Sequence, residues 1–190
     1  MQTTTKLLMD NMYIKEELND TIDSIMSNDE AISLYQNLFQ TMHKLCKMRE
    51  WGDCFNYARS REILIANTLG HTIGSTYSGC DGYDSQYKYE YKSTIGKLKS
   101  TYSGIMKQKN WDEQIDYLKN EKIGPYRHIF VRFNDNGEIE EFWEMDADKI
   151  ISLITPKLYR QFNSTKLRRD PRLSATLSGR EIRKFGIKIK

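Results

Sequence analysis

The chain contains 190 residues and carries a formal net charge of +3 at neutral pH. At about 100 to 200 residues per domain, this length predicts one compact domain with a substantial core. A hydrophobic fraction of 38%, a charged fraction of 29% and only three prolines exclude collagen-like, mucin-like and wholly disordered proteins.

The two halves of the chain differ in charge. Residues 1–95 hold nine Lys/Arg against 13 Asp/Glu, whereas residues 96–190 hold 20 against 13. The last segment, residues 157–190, has 11 basic residues and only two acids. Such a concentration of basic charge favours a polyanionic partner such as nucleic acid, although the whole protein is close to neutral.

Hydropathy and cysteine usage predict a cytoplasmic protein. No stretch of about 18 apolar residues occurs, and the first residues lack the apolar run of a signal peptide. The three cysteines have no C-x-x-C spacing, so neither a disulfide framework nor a cysteine zinc site is supported. The three isolated histidines are typical of structural or surface roles.

The first third of the chain has helical periodicity. Residues 13–26 carry apolar side chains at helical spacing and predict a first helix. The segment from Ser27 to Glu30 matches a capping box and precedes an apolar stripe, so a second helix with one buried face should follow. Ser60 and Gly70 predict the start and end of a short third helix.

After Gly79 the apolar period changes to two. Residues 87–92 alternate aromatic and charged side chains, which predicts a strand with its tyrosines in the core. Residues 127–133 and 138–144 are rich in β-formers and joined by an Asn/Asp/Gly turn, which predicts a hairpin. A helix capped by Asp146 and interrupted by Pro156, then a terminal strand over residues 185–189, complete the pattern.

This order of elements predicts an α/β or α+β fold in which a mixed central sheet is flanked by helices. We expect residues 1–58 to form a helical N-terminal region and residues 59–190 to form the core with the sheet.

A candidate catalytic set lies on the strand predicted over residues 87–92. Strand geometry places Glu90 and Lys92 on one face, about 7 Å apart, because each residue rises about 3.3 Å. Asp81 precedes them by a turn-rich segment and can return to the same end of the strand. Two carboxylates suit Mg²⁺, which keeps several waters and phosphate oxygens in its shell. Such an ion beside a lysine is suited to phosphodiester hydrolysis.

An acidic residue followed nine positions later by Glu-x-Lys on a strand resembles the motif of the PD-(D/E)XK nuclease superfamily. From about residue 60 to the C-terminus, the order of segments is similar to that of the small PvuII-type type II restriction endonucleases. The segments that carry this similarity are Gly70-His-Thr-Ile-Gly74, Asp81-Gly-Tyr-Asp84, Tyr89-Glu-Tyr-Lys-Ser93, the hairpin, Asp170-Pro-Arg172 and Gly186-Ile-Lys-Ile189.

The resemblance implies a restriction-endonuclease-like core and Mg²⁺-dependent, sequence-specific cleavage of double-stranded DNA, with one or two ions per active site. Asp81 and Glu90 match the metal ligands and Lys92 the catalytic lysine. The interval from Asp81 to Glu90 is one residue shorter than the family pattern, so Asp84 stays open as the primary ligand. Cutting both strands of a palindrome requires two active sites, which implies a homodimer with the N-terminal helices as candidate interface. The resemblance leaves open a cognate DNA methyltransferase in the same system, which would not be a stable partner of this chain.

Related enzymes read bases with a histidine cluster after the catalytic strand, whereas this chain has residues 100–110 there. That segment is equally compatible with an ordinary polar loop and with contacts to bases or phosphates. The candidate DNA contacts are Ser93, Lys97, Ser100, Thr101, Tyr102, Ser103, Lys107, Lys109, Asn110, Arg168, Arg169 and Arg172.

Two other functions remain compatible with the sequence. One is a structure-specific or repair nuclease on the same core, such as a junction resolvase. The other is a DNA-binding protein without catalysis, in which the basic C-terminal segment supplies affinity. In that case Glu90 and Lys92 form only a solvated ion pair on a strand face.

Overall fold

The computed structural model describes residues 16–17, 19–20, 27–55, 58–75, 79–135, 137–164 and 170–189. Its contacts divide the chain into two units, Met1–Glu50 and Trp51–Lys190, whereas the sequence suggested a boundary between residues 58 and 59. The described elements form a mixed α+β protein, as predicted. Among them, no helix has both the length and the apolar character needed to cross a bilayer.

The first unit contains helix α1, Asn28–Met48. The predicted capping box is present: Ser27 Oγ accepts the Glu30 N–H, and Ser27 N–H donates to Glu30 Oε2 at 2.9 Å. The apolar stripe of α1 was predicted to be buried, but Ile32, Tyr35 and other members are exposed among the described residues. The described parts of the predicted first helix are helical, and the rest lies outside the described residues.

The second unit holds the sheet. Its helices are α2 (Arg59–Leu69), α3 (Trp111–Tyr117, continued by a π-helical turn over Leu118–Lys122), α4 (Ala147–Phe162) and α5 (Gly179–Phe185). Its strands are β1 (Thr72–Ile73), β2 (Gly82–Tyr83), β3 (Lys88–Ile95), β4 (Lys99–Ile105), β5 (Arg127–Phe133), β6 (Ile139–Met145), β7 (Leu173–Ser178) and β8 (Ile187–Lys188).

The main sheet has six strands in the order β1-β2-β3-β5-β6-β8. Strands β3 and β5 are parallel, and every other neighbouring pair is antiparallel, so the sheet is mixed as predicted. Strands β5 and β6 are the predicted hairpin. Strands β4 and β7 pair separately as an antiparallel ribbon.

Two apolar clusters cover the two faces of the sheet. Helix α2 packs Ile65 and Ala66 against Tyr89 and Tyr91 of β3, together with β5 and β6 residues. The other cluster joins Phe130 of β5 to α4 and to the β4–β7 ribbon. Since side chains alternate along a strand, the even-numbered residues of β3 face the side of α4 and the ribbon.

Three sequence predictions need correction. Helix α4 does not stop at Pro156 but continues to Phe162, because its buried face, including Ile154 and Leu158, holds it against the core. Asp146 occupies its N-cap position, but the Asp146 side chain makes no capping hydrogen bond. The predicted strand over residues 185–189 is reduced to β8, since Phe185 ends α5.

Candidate active site

Glu90 and Lys92 lie together on one face of β3, as the alternation predicts. Lys92 Nζ donates to Glu90 Oε1 at 2.5 Å, and each side chain is 26% exposed. Lys88 is exposed at the start of the same strand and on the same face. A carboxylate and an ammonium are therefore held side by side with access to solvent.

Asp81 is hydrogen-bonded to β3 through both its backbone N–H and its carboxylate. Its N–H donates to Tyr89 O at 2.9 Å, and its Oδ2 accepts the Tyr91 N–H at 2.7 Å. These two bonds attach Asp81 to the residues on either side of Glu90. The predicted return of Asp81 to the Glu-x-Lys strand is therefore present in the structure.

The carboxyl group of Asp81 is strongly perturbed. Burial raises its pKa to about 7, with a further contribution from the negative charge of Glu90 and a smaller one from Glu62. The Tyr91 N–H and Lys92 act in the opposite direction but do not compensate. A cation bound beside Asp81 and Glu90 would stabilise the ionised form of the Asp81 carboxyl group.

Glu62 was missed by the sequence analysis. It lies in the first turn of α2 and pairs with Arg59 at 3.3 Å. Arg59 is buried and also donates to the carbonyls of Trp51 and Gly74. No local pattern connects Glu62 to the Glu-x-Lys strand, because its effect on Asp81 depends on how α2 packs against β3.

Asp84 has a different environment. Its Oδ1 accepts the N–H groups of Gln86 and Tyr87, each at 2.7 Å, and its Oδ2 accepts the Tyr89 hydroxyl at 2.8 Å. The backbone bonds to Gln86 and Tyr87, followed by the Tyr89 bond, lower the pKa of Asp84. Both oxygens are thus used to hold the turn before β3, which favours Asp81 as the ligand beside Glu90.

The residues present fit a magnesium ion. Within the described part of the chain, no group of three or more His, Cys, Asp or Glu side chains is arranged to hold a metal. Mg²⁺ does not need such a group, because it is typically bound through one or two carboxylates plus water and substrate phosphate. Asp81 and Glu90 supply that number of carboxylates.

An open cleft of about 990 Å³ begins at the start of β3, and its lining does not include Asp81, Glu90 or Lys92. Lys88 lines it, and so does Tyr126, whose pKa is raised by burial and then by the charges of Glu90, Cys80 and Asp81. Tyr87 lines the same cleft and stacks on Arg127 at 4.0 Å. Tyr87 precedes β3 and is 43% exposed, so its predicted place in the core is corrected.

The predicted DNA contacts fall into three groups. Ser100 and Tyr102 are each only 4% exposed on the inner face of β4, so a duplex cannot reach them and these two predictions are corrected. Arg168 and Arg169 lie outside the described residues. The remaining side chains are exposed or half-buried: Ser93, Lys97, Thr101, Ser103, Lys107, Lys109, Asn110 and Arg172.

Several of these remaining side chains already have partners. Lys107 Nζ donates to Phe162 O at 2.7 Å, and Asn110 caps α3. Arg172 pairs with Asp170 at 2.8 Å. Thr101 Oγ1 lies 2.9 Å from Thr176 Oγ1 on the exposed face of the β4–β7 ribbon.

Comparison with known proteins adds no relative. No protein-family model matches the chain, and no curated protein sequence matches it. The resemblance to PD-(D/E)XK nucleases therefore stays a prediction drawn from the residues of this chain.

Proposed function

We propose that the protein is a Mg²⁺-dependent endonuclease that hydrolyses phosphodiester bonds in double-stranded DNA at specific sequences, as type II restriction endonucleases do. The observation that carries the proposal is the arrangement on β3: Glu90 and Lys92 share one face, and Asp81 is bonded to the backbone on both sides of Glu90. Two carboxylates and an ammonium are the groups that this hydrolysis requires.

Each residue of the set has a distinct role in the proposal. Asp81 and Glu90 would hold the magnesium ion, which when bound neutralises charge on the phosphate and lowers the pKa of a bound water. Lys92 orients the attacking water through its N–H groups and stabilises the negative charge that develops on the phosphate oxygens. The bond from Lys92 to Glu90 keeps the ammonium beside the carboxylate that would hold the ion.

The β4–β7 ribbon supports recognition of a duplex. Thr101, Ser103 and Thr176 are exposed on its outer face, and a two-stranded ribbon is one of the elements that the major groove of DNA admits. Hydroxyl groups bond to base edges of either kind as well as to phosphates. Under the proposal, this ribbon is the surface that would contact the duplex.

The exposed apolar stripe of α1 is the candidate surface for the proposed homodimer. Its members among the described residues include Ile32, Tyr35 and Met42. Contiguous apolar surface of this kind commonly marks a protein interface. A two-fold dimer would give the two active sites that a palindromic duplex needs.

The proposal is tested by incubating the purified full chain with plasmid DNA and Mg²⁺ and sequencing the fragment ends. We expect discrete fragments with one sequence at every end, and no cleavage in EDTA. Preferential cutting of branched DNA would instead identify a structure-specific nuclease. Salt-sensitive binding without cleavage in Mg²⁺ or Mn²⁺ would identify a DNA-binding protein and contradict the proposal.

The two aspartates should respond differently to the same substitution. Asp81→Asn is expected to weaken Mg²⁺ binding and to lower the cleavage rate by about 10²- to 10³-fold, because it removes a ligand next to Glu90. Asp84→Asn is expected to lower the melting temperature through the weakened turn but to preserve metal binding. Calorimetric Mg²⁺ titration and cleavage rates measured on both variants test this. Equal loss of metal binding in both would contradict the assignment.

A further inference from the structure

Behind Lys92 lies a buried polar pair formed by Tyr102 of β4 and His128 of β5. Tyr102 Oη is 3.0 Å from His128 Nδ1, and His128 Nε2 is 3.0 Å from Ile123 O. His128 is fully buried and Tyr102 almost so. The buried pair was not predicted from the sequence. There, Tyr102 was predicted to contact DNA, and His128 was described as an isolated histidine.

The direction of both hydrogen bonds follows from their partners. A carbonyl oxygen only accepts, so His128 Nε2 carries a proton and donates to Ile123 O. In the neutral imidazole, Nδ1 is then an acceptor, and the Tyr102 hydroxyl donates to it. Burial lowers the pKa of His128 to about 4, which keeps the ring neutral near pH 7. The tyrosine ring is therefore tied at its hydroxyl to a fixed acceptor.

The ring of Tyr102 is also the support for Lys92. Lys92 Nζ lies 5.6 Å from the ring centroid, over the face of the ring, within the distance of about 6 Å at which a cation is attracted to an aromatic ring. In the parallel ladder, Glu90 lies opposite His128, so the pair lies beneath the same face of the sheet. The ammonium is thus held between the Glu90 carboxylate and the Tyr102 ring.

Burial of a tyrosine and a histidine in the core costs free energy unless their polar atoms are hydrogen-bonded. Each buried polar atom must find a partner, and loss of one partner leaves the other unpaired. An apolar pair would fill the space without that requirement. The hydrogen bond from the Tyr102 hydroxyl to His128 fixes the orientation of the tyrosine ring, which an apolar contact would not do.

We propose that Tyr102 and His128 are positioning residues, which orient the Lys92 ammonium toward the substrate phosphate by fixing the ring against which it rests. This inference rests on the proposed nuclease function. Removal of the ring should misplace Lys92 without altering the surface that binds DNA, because Tyr102 and His128 are buried.

The kinetic test compares two substitutions at the same position. Tyr102→Leu removes the ring and should lower kcat by about 10²-fold, while KM and the affinity for DNA measured with Ca²⁺ stay unchanged. Tyr102→Phe keeps the ring and loses only the hydroxyl that bonds to His128. The kcat of this variant should therefore lie between the wild-type and Tyr102→Leu values. Ile154→Val, in the same apolar cluster, is the control for lost stability and should keep the wild-type kcat. A folded Tyr102→Leu enzyme with wild-type kcat would overturn the inference.

A second measurement does not depend on cleavage. The ring current of Tyr102 should shift the nuclear magnetic resonance signal of the Lys92 ε-methylene upfield, with the signal assigned by its absence in Lys92→Arg. Tyr102→Leu should return it to the position of an ordinary lysine. If the wild type shows this shift but cuts no DNA, the contact stands and the proposed function fails. An unshifted signal in the wild type would overturn the inference itself.

Discussion

Lys92→Met is expected to abolish Mg²⁺-dependent DNA cleavage, with a fall in rate of about 10³-fold or more. The substitution keeps the length of the side chain but removes the ammonium that lies 2.5 Å from Glu90 and that stabilises the phosphate oxygens in the proposed reaction. Stability should change little, because a partly exposed ion pair contributes little to folding. Plasmid cleavage rates and urea unfolding curves of the variant measure the two effects.

Lys157→Met provides a matched control. Lys157 pairs with Glu181 at 2.7 Å, with side chains 27% and 26% exposed, which is close to the exposure of the Lys92 and Glu90 pair. Like Lys92→Met, the Lys157→Met substitution removes one positive charge from the protein, so both variants lose the same net attraction to DNA. Lys157 Nζ also donates to Thr176 O of the ribbon at 2.7 Å, so we expect Lys157→Met to lower the cleavage rate far less than Lys92→Met does. Cleavage by Lys92→Met at a similar rate would contradict the assignment of the active site.

The second large effect concerns pH. Because the pKa of His128 is lowered from 6.5 to about 4 in the folded protein, the unfolded chain binds more protons between these two values. The free energy of unfolding should therefore fall as the pH falls through this window. A shift of this size corresponds to about 3 kcal/mol, which is fully present above pH 6.5 and lost by about pH 4.

Asp81 opposes this effect in the wild type. The pKa of its carboxyl group is raised to about 7 in the folded protein, so this group stabilises the fold at low pH and loses that contribution as the pH rises through 7. The measurement is therefore made on Asp81→Asn, by urea unfolding between pH 4 and pH 7. Adding His128→Gln should reduce the remaining dependence on pH, to which His71, whose pKa is also lowered by burial, still contributes. An unchanged slope in the double variant would show that His128 does not cause it.

The arrangement of the candidate catalytic set was predictable because its signals are local. Alternation along β3 fixes which residues share a face, so the contact between Glu90 and Lys92 follows from the sequence alone. The turn before β3 then brings Asp81 back to Tyr89 and Tyr91. The capping box of α1 and the β5–β6 hairpin were predicted for the same reason.

The features that were missed depend on contacts distant in sequence. Strand β4 pairs with β7, Leu173–Ser178, which lies far along the chain. The sequence does not indicate this pairing, so the inward residues of β4 were interpreted as part of a polar loop. This is why Ser100 and Tyr102 were taken for DNA contacts although the core covers them. The influence of Glu62 on Asp81 likewise appears only when α2 packs on the sheet. Pro156 alone predicts a break, but the buried face of α4 overrides it.

The parallel pairing of β3 with β5 places a long segment of chain between two neighbouring strands. Parallel neighbours need a long crossover, and here that crossover contains β4 and α3. The register of β3 is fixed by β2 on one side and β5 on the other. Under the proposed function, substitutions at outward residues of this crossover, such as Thr101 and Ser103, would change the surface offered to a duplex without moving Glu90 relative to Asp81. Tyr102 of the same strand, in contrast, faces inward and lies against Lys92. Under that proposal, the target sequence could diversify at the outward positions while the reaction stays constant.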